Sequence, residues 1–375
     1  MDMPEPYEPK HLPLDCIDWA AHVSMIGKAN ASLARYDGIL QAIVNPEILI
    51  SPLINREAVL SSRIEGTQAS LEEVLEFEVD PNGGMTPEKR NDIAEIINYR
   101  KALLLAENEL EKKPIHINMI RKLHAVLLDN ARGRDKEPGQ LRTFQNYIAK
   151  PGRPIEEAIF VPPYPFLVPD ALSNWECYLH SEEKDPLVQI AILKAQFELI
   201  HPFRDGNGRI GRMLVPLILY DKGLLSKPTF YISSYLERNR DEYYEALLAI
   251  SRDDDWNQWI SFFLRAINEQ AKDNCQKARE ILGLYEEMKT TVPEITHSQY
   301  AVSAIDAIFT RQIFRVSDFV EISGIPKITA QRLLREMSEN NIIKVIREGR
   351  GRRPNIYACV RLLQITEGVK GGRDF

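Results

Sequence analysis

Cysteine is scarce in this chain. The four cysteines among 375 residues, Cys16, Cys177, Cys275 and Cys359, lie far apart. No two have the spacing of a metal-ligand or redox pair, which excludes a disulfide scaffold and a zinc module. Reduced thiols are the expected state. Long apolar runs are missing as well. The longest, Met213 to Tyr220, is far shorter than the roughly 20 residues a membrane-spanning helix needs. The opening MDMPEPYEPK lacks the basic start and apolar core of a signal peptide. These absences predict a cytoplasmic protein without membrane contact. Neither a long internal repeat nor a low-complexity tract occurs. Positive charge is not in excess: Lys+Arg 47 against Asp+Glu 54 leaves a net −7. That argues against a chain that coats nucleic acid along its whole length, and it leaves room for a local basic patch.

What is present is globular. Hydrophobic residues make up 44% and charged residues 27%, and the length suits two or three domains. Residues 1 to about 20 read as an irregular arm. Asp18 to Gln41 reads as a helix, Pro46 and Pro52 as punctuation, and Asn55 to Ile64 as a short helix that stops at Gly66. Helical patterns dominate to about Asn130, interrupted by a turn at residues 80–84. Between Gly139 and Val168 the texture changes. Thr143 to Ile148 and Ala158 to Val161 read as two strands of a β-hairpin around residues 150–153. The prolines at 162, 163 and 165 end it. Pro186 to Ile200 is an apolar helix, a second runs to about Lys222, and amphipathic helices continue to about Lys289. Pro293 marks a boundary.

The last 80 residues differ. A helix at 303–310 leads to Val316-Ser317-Asp318-Phe319, the turn residues Ser323-Gly324, a helix from Ile328 to Asn340, a strand from Ile342 to Ile346, a basic turn and a returning strand from Ile356 to Val360. That order predicts a winged helix-turn-helix. Residues 311–361 hold eleven Lys+Arg and five Asp+Glu, about +6. Gln331, Arg332 and Arg335 would sit on its recognition helix, and Arg350, Arg352 and Arg353 on its wing. Winged helices also serve as protein-interaction modules, so DNA and protein both stand as partners for it.

The densest chemistry lies in His201-Pro202-Phe203-Arg204-Asp205-Gly206-Asn207-Gly208-Arg209-Ile210-Gly211-Arg212, between two apolar helices. A helix start offers unpaired N–H groups and a dipole that favours anions. Gly206 and Gly208 let the backbone turn tightly and approach a phosphate. Asn207 can cap the helix or bond a phosphate oxygen. Arg209 and Arg212, three apart, would put two guanidinium forks on one side of the helix, which suits a polyphosphate. Asp205 is a hard ligand of the kind Mg²⁺ takes on a nucleotide. His201 alone in this segment accepts a proton near neutral pH. Singly, a His before Pro, an Asp-Gly turn or two arginines on a helix would be structural or solvating residues. Together they point to a nucleotide site. It is not an EF-hand loop, and the chain contains neither a P-loop nor a kinase catalytic loop.

This segment resembles throughout the signature of the Fic (filamentation induced by cAMP) family, His-Pro-Phe-x-Asp/Glu-Gly-Asn-Gly-Arg-x-x-Arg. The resemblance covers roughly residues 50–270. It implies a mainly α fold: a helical N-terminal region (1–110), a Fic-type helical core with a small β-hairpin flap (111–290) and, as in the longer Fic subtype, a C-terminal winged helix (295–375). It implies a protein adenylyltransferase. His201 would deprotonate a Ser, Thr or Tyr hydroxyl, which would attack the α-phosphorus of ATP, and pyrophosphate would leave. Asp205 would hold Mg²⁺, and Gly206, Asn207, Gly208, Arg209, Ile210, Gly211 and Arg212 would line the ATP site. Ser61-Ser62-Arg63-Ile64-Glu65-Gly66 resembles the family's inhibitory motif. Ser61 would open it, and Glu65, just before the terminator Gly66, would pair bidentately with Arg212 where the γ-phosphate belongs. Ile159, Phe160 and Val161 would form the flap edge that docks the target by strand addition. Tyr243 and Tyr244 resemble the family's helix near the adenine, although core packing explains them nearly as well. Homodimers and autoadenylylation are further expectations of the family. Two alternatives stand beside this reading: a DNA-binding regulator working through the winged helix, and a Fic-fold phosphotransferase of other specificity, such as the kinase Doc. Gly208, where the Doc-type signature carries Lys, favours AMP transfer.

Overall fold

The computed structural model describes residues 5–43, 45–81, 84–129, 132–150, 152–349 and 354–368. The protein is mainly helical. Its helices are α1 (Trp19–Ala42), α2 (Glu47–Ile64), α3 (Leu71–Val79), α4 (Pro87–Leu110), α5 (Ile117–Leu127), α6 (Val168–Leu179), α7 (Pro186–Ile200), α8 (Asn207–Asp221), α9 (Ser233–Arg238), α10 (Arg240–Asp253), α11 (Trp256–Thr296), α12 (Ala301–Thr310), α13 (Val316–Ser323), α14 (Lys327–Glu339) and α15 (Val360–Glu367). The chain divides into two compact units. One comprises residues 1–38, 60–67 and 94–272, the other residues 39–59, 68–93 and 273–375.

The first unit is built around α7. This helix is apolar on all sides and nearly every residue in it is buried, the pattern of a central helix surrounded by others. It packs against α6, α8 and α10. Its start is fixed by Asp185, whose carboxylate accepts the Leu187 and Val188 N–H groups at 2.9 and 3.0 Å, and by Pro186 at the first helical position, where no N–H is needed. Two buried indoles, Trp175 and Trp259, each donate at 2.7 Å to α7 carbonyls, those of Leu193 and Ala191. Gly211 on α8 lies so close to α7 that a methyl group there would stand 2.6 Å from a Glu198 carboxylate oxygen.

The expected hairpin is reduced to one antiparallel bridge between Ile148 and Phe160. Ile148 N–H donates to Phe160 at 2.8 Å and Ile159 N–H to Ile148 at 2.7 Å, and a 3₁₀ turn, Ile155–Glu157, stands where a strand would begin. Proline explains the loss. Pro154, Pro162 and Pro163 bring no N–H to a ladder. The carbonyls of Pro162 and Pro163 are taken by side chains, Gln145 at 2.7 Å and Arg142 at 2.5 Å. Pro151, placed by the sequence in the connecting turn, lies outside the described residues.

The second unit contains a small antiparallel sheet of β1 (Ile313–Phe314), β2 (Lys344–Arg347) and β3 (Ile356–Ala358), in the order β1-β3-β2. Ile313 faces Ala358, and Lys344 faces Ala358 from the other side, with a bulge between Val345 and Arg347. Helix, strand, helix, helix, strand, strand, helix is the element order from α12 onward. The sequence reading finds α12, α14, β2 and β3 within a few residues. It misses β1, only two residues long, and α15. Arg350, Arg352 and Arg353 lie outside the described residues. Two prolines read as breaks sit inside helices instead: Pro52 in α2 and Pro293 in α11, which runs unbroken for 41 residues. Each costs one backbone hydrogen bond. Burial of the neighbours, Leu53 and Ile54 in one case and Val292 and Thr296 in the other, offsets that loss. No helix of the described residues is long and apolar enough to cross a membrane.

Candidate active site

His201 ends α7 in the left-handed conformation, φ 49° and ψ 58°, with its N–H on the Phe197 carbonyl at 3.1 Å. A non-glycine residue there is strained and needs holding. The imidazole is half-buried. Its Nδ1 lies 3.3 Å from the Glu198 carbonyl. A carbonyl only accepts, so Nδ1 carries the proton and Nε2 of the neutral ring keeps its lone pair. Burial pushes the imidazole below its ordinary pKa against the pull of the Glu198 carboxylate, so the neutral form is favoured.

The loop from 202 to 206 is pinned from both sides. Asn207 opens α8 and folds its amide back onto Phe203, accepting from Phe203 N–H and donating to Phe203 O, each at 2.8 Å. Gly206, at φ 78°, makes a turn that L side chains avoid. Asp205 accepts Gly206 N–H at 2.6 Å and its side chain stays 49% exposed. The first-turn amides of α8 lack intrahelical acceptors, and the helix dipole adds positive potential.

Arg212 is 1% exposed. Its Nε donates to Ser61 Oγ at 2.9 Å, and its Nη2 to Ser61 O at 2.9 Å and Glu65 Oε1 at 2.6 Å. Burial lowers its pKa, but the Glu65 carboxylate, Tyr243 and Glu198 together outweigh it and the net shift is upward. α2 ends at Ile64, and Gly66 turns the chain at φ 102°, which sets Glu65 over the start of α8. A methyl group on Gly208 would overlap the Glu65 carboxylate and reach within 3.0 Å of Arg212 Nη1. Glu65, Gly208 and Arg212 are therefore mutual neighbours.

Comparison with known proteins bears on the family. Residues 23–108 match the Fic/DOC family N-terminal model and residues 114–219 the Fic/DOC family model. The chain carries Fic/DOC family domains. It is 40% identical over 91 residues to a probable protein adenylyltransferase of Aquifex aeolicus, covering 24% of this chain and 26% of that one. It is 33% identical over 135 residues to the protein adenylyltransferase fic-1 of Caenorhabditis briggsae, 34% of this chain and 24% of that one. The chain thus spans about a quarter of the length of these curated relatives. In fold it is similar to a Fic family protein from Desulfovibrio desulfuricans G20, with TM-score 0.58 and 20% identity, covering 98% of this chain and 100% of that one. It is also similar to Fic-1 (residues 134–508) of Caenorhabditis elegans, with TM-score 0.53 and 22% identity, covering 70% and 73%.

Within the Fic/DOC domain the structure redistributes several expected roles. Arg209 and Arg212 are both buried and point to different partners. Arg209 pairs with Glu95 at 3.2 Å and approaches Asp205 at 3.7 Å. The Glu65–Arg212 contact is a single Nη2–Oε1 bond instead of a bidentate pair, because Ser61 takes the Nε. Ile210 is fully buried and Gly211 lies against Glu198 on α7, so the side of α8 they form packs on the core. Tyr243, expected beside adenine, is 1% exposed. Its hydroxyl takes a hydrogen bond from Lys194 at 2.9 Å and lies 3.3 Å from Glu198. Lys194 and Glu198 form a buried ion pair at 3.0 Å. Burial lowers the lysine, while Lys194 and Arg212 hold the carboxyl low despite its own burial. Tyr244 is 38% exposed, with the Arg240 guanidinium over its ring at 5.7 Å. On the flap, Ile159 is 51% exposed, but Phe160 and Val161 are buried. The Val161 carbonyl accepts Tyr7 N–H at 2.8 Å, and the rings of Tyr7 and Phe160 lie 5.9 Å apart.

Two residues of the Fic/DOC domain escape the sequence reading. His124 on α5 is fully buried. Its Nδ1 accepts Gly139 N–H at 2.8 Å, its Nε2 donates to Asp205 O at 2.9 Å, and its ring stacks on Phe203 with centroids 3.8 Å apart. Burial pushes it down to about 4, so the neutral tautomer is the one present. Arg142 grips the end of α7, with Nε on His201 O at 2.8 Å. Neither stands in a recognisable motif; the signal was a His on the apolar face of α5 and an Arg inside an otherwise uncharged stretch.

Proposed function

We propose that this chain is a protein adenylyltransferase that moves AMP from ATP to a Ser, Thr or Tyr hydroxyl of a protein, and that Glu65 restrains it. The observation that carries the reading is the His201 tautomer. An imidazole held by the Glu198 carbonyl keeps an unprotonated Nε2, six positions ahead of an anion-favouring helix start. In the reaction, the acceptor hydroxyl loses its proton to His201 Nε2. Its oxygen bonds the α-phosphorus, the bond between the α-phosphorus and the bridging oxygen to the β-phosphate breaks, and pyrophosphate departs. Such transfers rest on positioning and on neutralising developing charge. The α8 amides and, once released, Arg212 supply that charge.

Among the described residues no three metal-ligating side chains cluster. The half-exposed Asp205 fits the role of a single carboxylate for an ion otherwise held by phosphates and water. Mg²⁺ bound there would neutralise phosphate charge.

Glu65 supports the inhibitory reading through its place. It occupies the volume beside Gly208 and Arg212, where a polyphosphate tail would need both groups. Incubation of the Glu65→Gly chain with ATP and Mg²⁺ tests the whole reading. Label should pass to protein from α-labelled ATP and not from γ-labelled ATP. Transfer of γ-label would instead identify a kinase of the Doc type. The flap, through Ile159, is the docking edge we assign to the target. We read the elements from α12 to β3 as a winged helix. Arg332 is engaged by Glu336 at 2.9 Å and Arg347 by Asp80 at 3.0 Å, which favours a protein contact over DNA for it.

A further inference from the structure

Arg142 is 2% exposed, and its side-chain partners are all backbone carbonyls. Besides His201 O, its Nη2 donates to Pro163 O at 2.5 Å and Ile200 O at 3.3 Å, and its Nη1 to Phe144 O at 3.3 Å. Its own N–H donates to Pro202 O at 2.9 Å. The four side-chain acceptors belong to three segments: the two shoulders of the flap, at 144 and 163, and the last turn of α7. A buried charge without a carboxylate is costly, and burial pulls this guanidinium down to about 10. An apolar side chain would leave those carbonyls without a donor. What a guanidinium offers is a rigid planar fork that fixes several acceptors at once, placed at a helix C-terminus where a cation is favoured.

We propose that Arg142 is a positioning residue for the transfer: it couples the flap that receives the acceptor to the strained backbone of His201, so that hydroxyl and base meet in register. The proposal rests on the adenylyltransferase reading above. His201 needs such a hold because its φ of 49° is unfavourable for a residue with a side chain. The flap needs one because proline has removed its ladder. Asn146 adds a lesser tie of the same kind, donating to Phe203 O at 3.3 Å. A misplacement of about 1 Å between reacting groups costs on the order of 10²-fold in rate.

The test uses the full chain carrying Glu65→Gly, with α-labelled ATP for turnover and calorimetry for MgATP affinity. Arg142→Lys keeps the charge but offers one ammonium to four carbonyls. It should lower kcat about 10²-fold, at a temperature where circular dichroism shows it folded, with MgATP affinity changed less than about twofold. Pro163→Gly loosens only a flap shoulder. It should lower kcat in the same direction and add nothing in the Arg142→Lys background. Unchanged kcat in Arg142→Lys overturns the proposal, as does weakened MgATP binding with kcat intact. If Arg142→Lys does not fold, unchanged kcat in Pro163→Gly overturns it. Absence of transfer in the Glu65→Gly parent would sink the enzymatic reading, and the positioning role with it.

Discussion

Glu65 Oε1 and Arg212 Nη2 lie 2.6 Å apart, although 147 positions separate the residues in sequence. The arginine is buried and the glutamate side chain 36% exposed. Breaking this pair from the arginine side leaves a carboxylate that water can still reach. Breaking it from the glutamate side frees a buried guanidinium for another anion. Loss of Glu65 thus leaves a buried cation that a phosphate can pair. Glu65→Gly should therefore raise autoadenylylation at least about tenfold, the effect of some 1.4 kcal/mol, and leave the fold intact. Intact-mass spectrometry with ATP and Mg²⁺ would read the gain. A lower rate from a folded variant would rule out restraint by Glu65.

His201→Ala in that activated background should cost roughly 10²–10⁴-fold while MgATP binding persists, because the α8 amides and Arg212 remain. Label incorporation and calorimetry on one preparation would separate the two effects. Residual activity near the parent's would remove His201 from the base role.

The pH profile follows from the sign of the His201 shift. The base works when neutral, hence above its pKa. Burial lowers that pKa, Arg142 lowers it further, and the carboxylates of Glu198 and Glu65 oppose both. The acid limb of kcat should therefore fall below pH 6.5, the ordinary histidine value, and sit lower still in Glu65→Gly, which lacks one opposing carboxylate. The unshifted value assumed from sequence alone would put the loss at about 6.5. Initial rates at saturating ATP between pH 5 and 8 decide it; a midpoint above 6.5 contradicts the burial argument.

What could be read before the fold, and what could not, divides along contact distance in sequence. Residues 201–212 are contiguous, so their shared chemistry shows in the string itself. The apolar helix ahead of them shows through its composition. Arg142 meets His201 across 59 positions and Arg209 meets Glu95 across 114, and no periodicity marks such partners. Tyr243 packs on Trp259 and Phe262, a choice between two helix faces that only tertiary packing makes. The flap strands fail for a local reason visible in the string: Pro162 and Pro163 read as the hairpin's end, yet together with Pro154 they are also missing donors along it.

His124 offers a check on how firmly the loop is held. Replacing it with Ala strands Gly139 N–H and Asp205 O and removes the stack on Phe203. The cost should be roughly 3 kcal/mol of stability. Asn, which can keep one of the two bonds, should cost less. Urea unfolding of the two variants measures both; equal stability of wild type and His124→Ala would mean that the loop is held by Asn207 alone.

Gly208 provides the sharpest geometric prediction, because its environment depends on one removable side chain. A methyl group there collides with the Glu65 carboxylate, and its next neighbour, Arg212 Nη1, is at a tight 3.0 Å that a shift of a few tenths of an ångström relieves. Alanine is otherwise the better helix residue, so the substitution should be unfavourable only while Glu65 is present. Gly208→Ala alone should lower stability, and in the Glu65→Gly background it should be neutral or slightly stabilising. The coupling in a double-mutant cycle of thermal or urea unfolding should fall within about 0.5–3 kcal/mol. The single variant should also show a raised basal rate if the displaced carboxylate leaves Arg212. Additive effects of the two substitutions would place Glu65 away from Gly208 in solution and remove the steric basis for its restraining role.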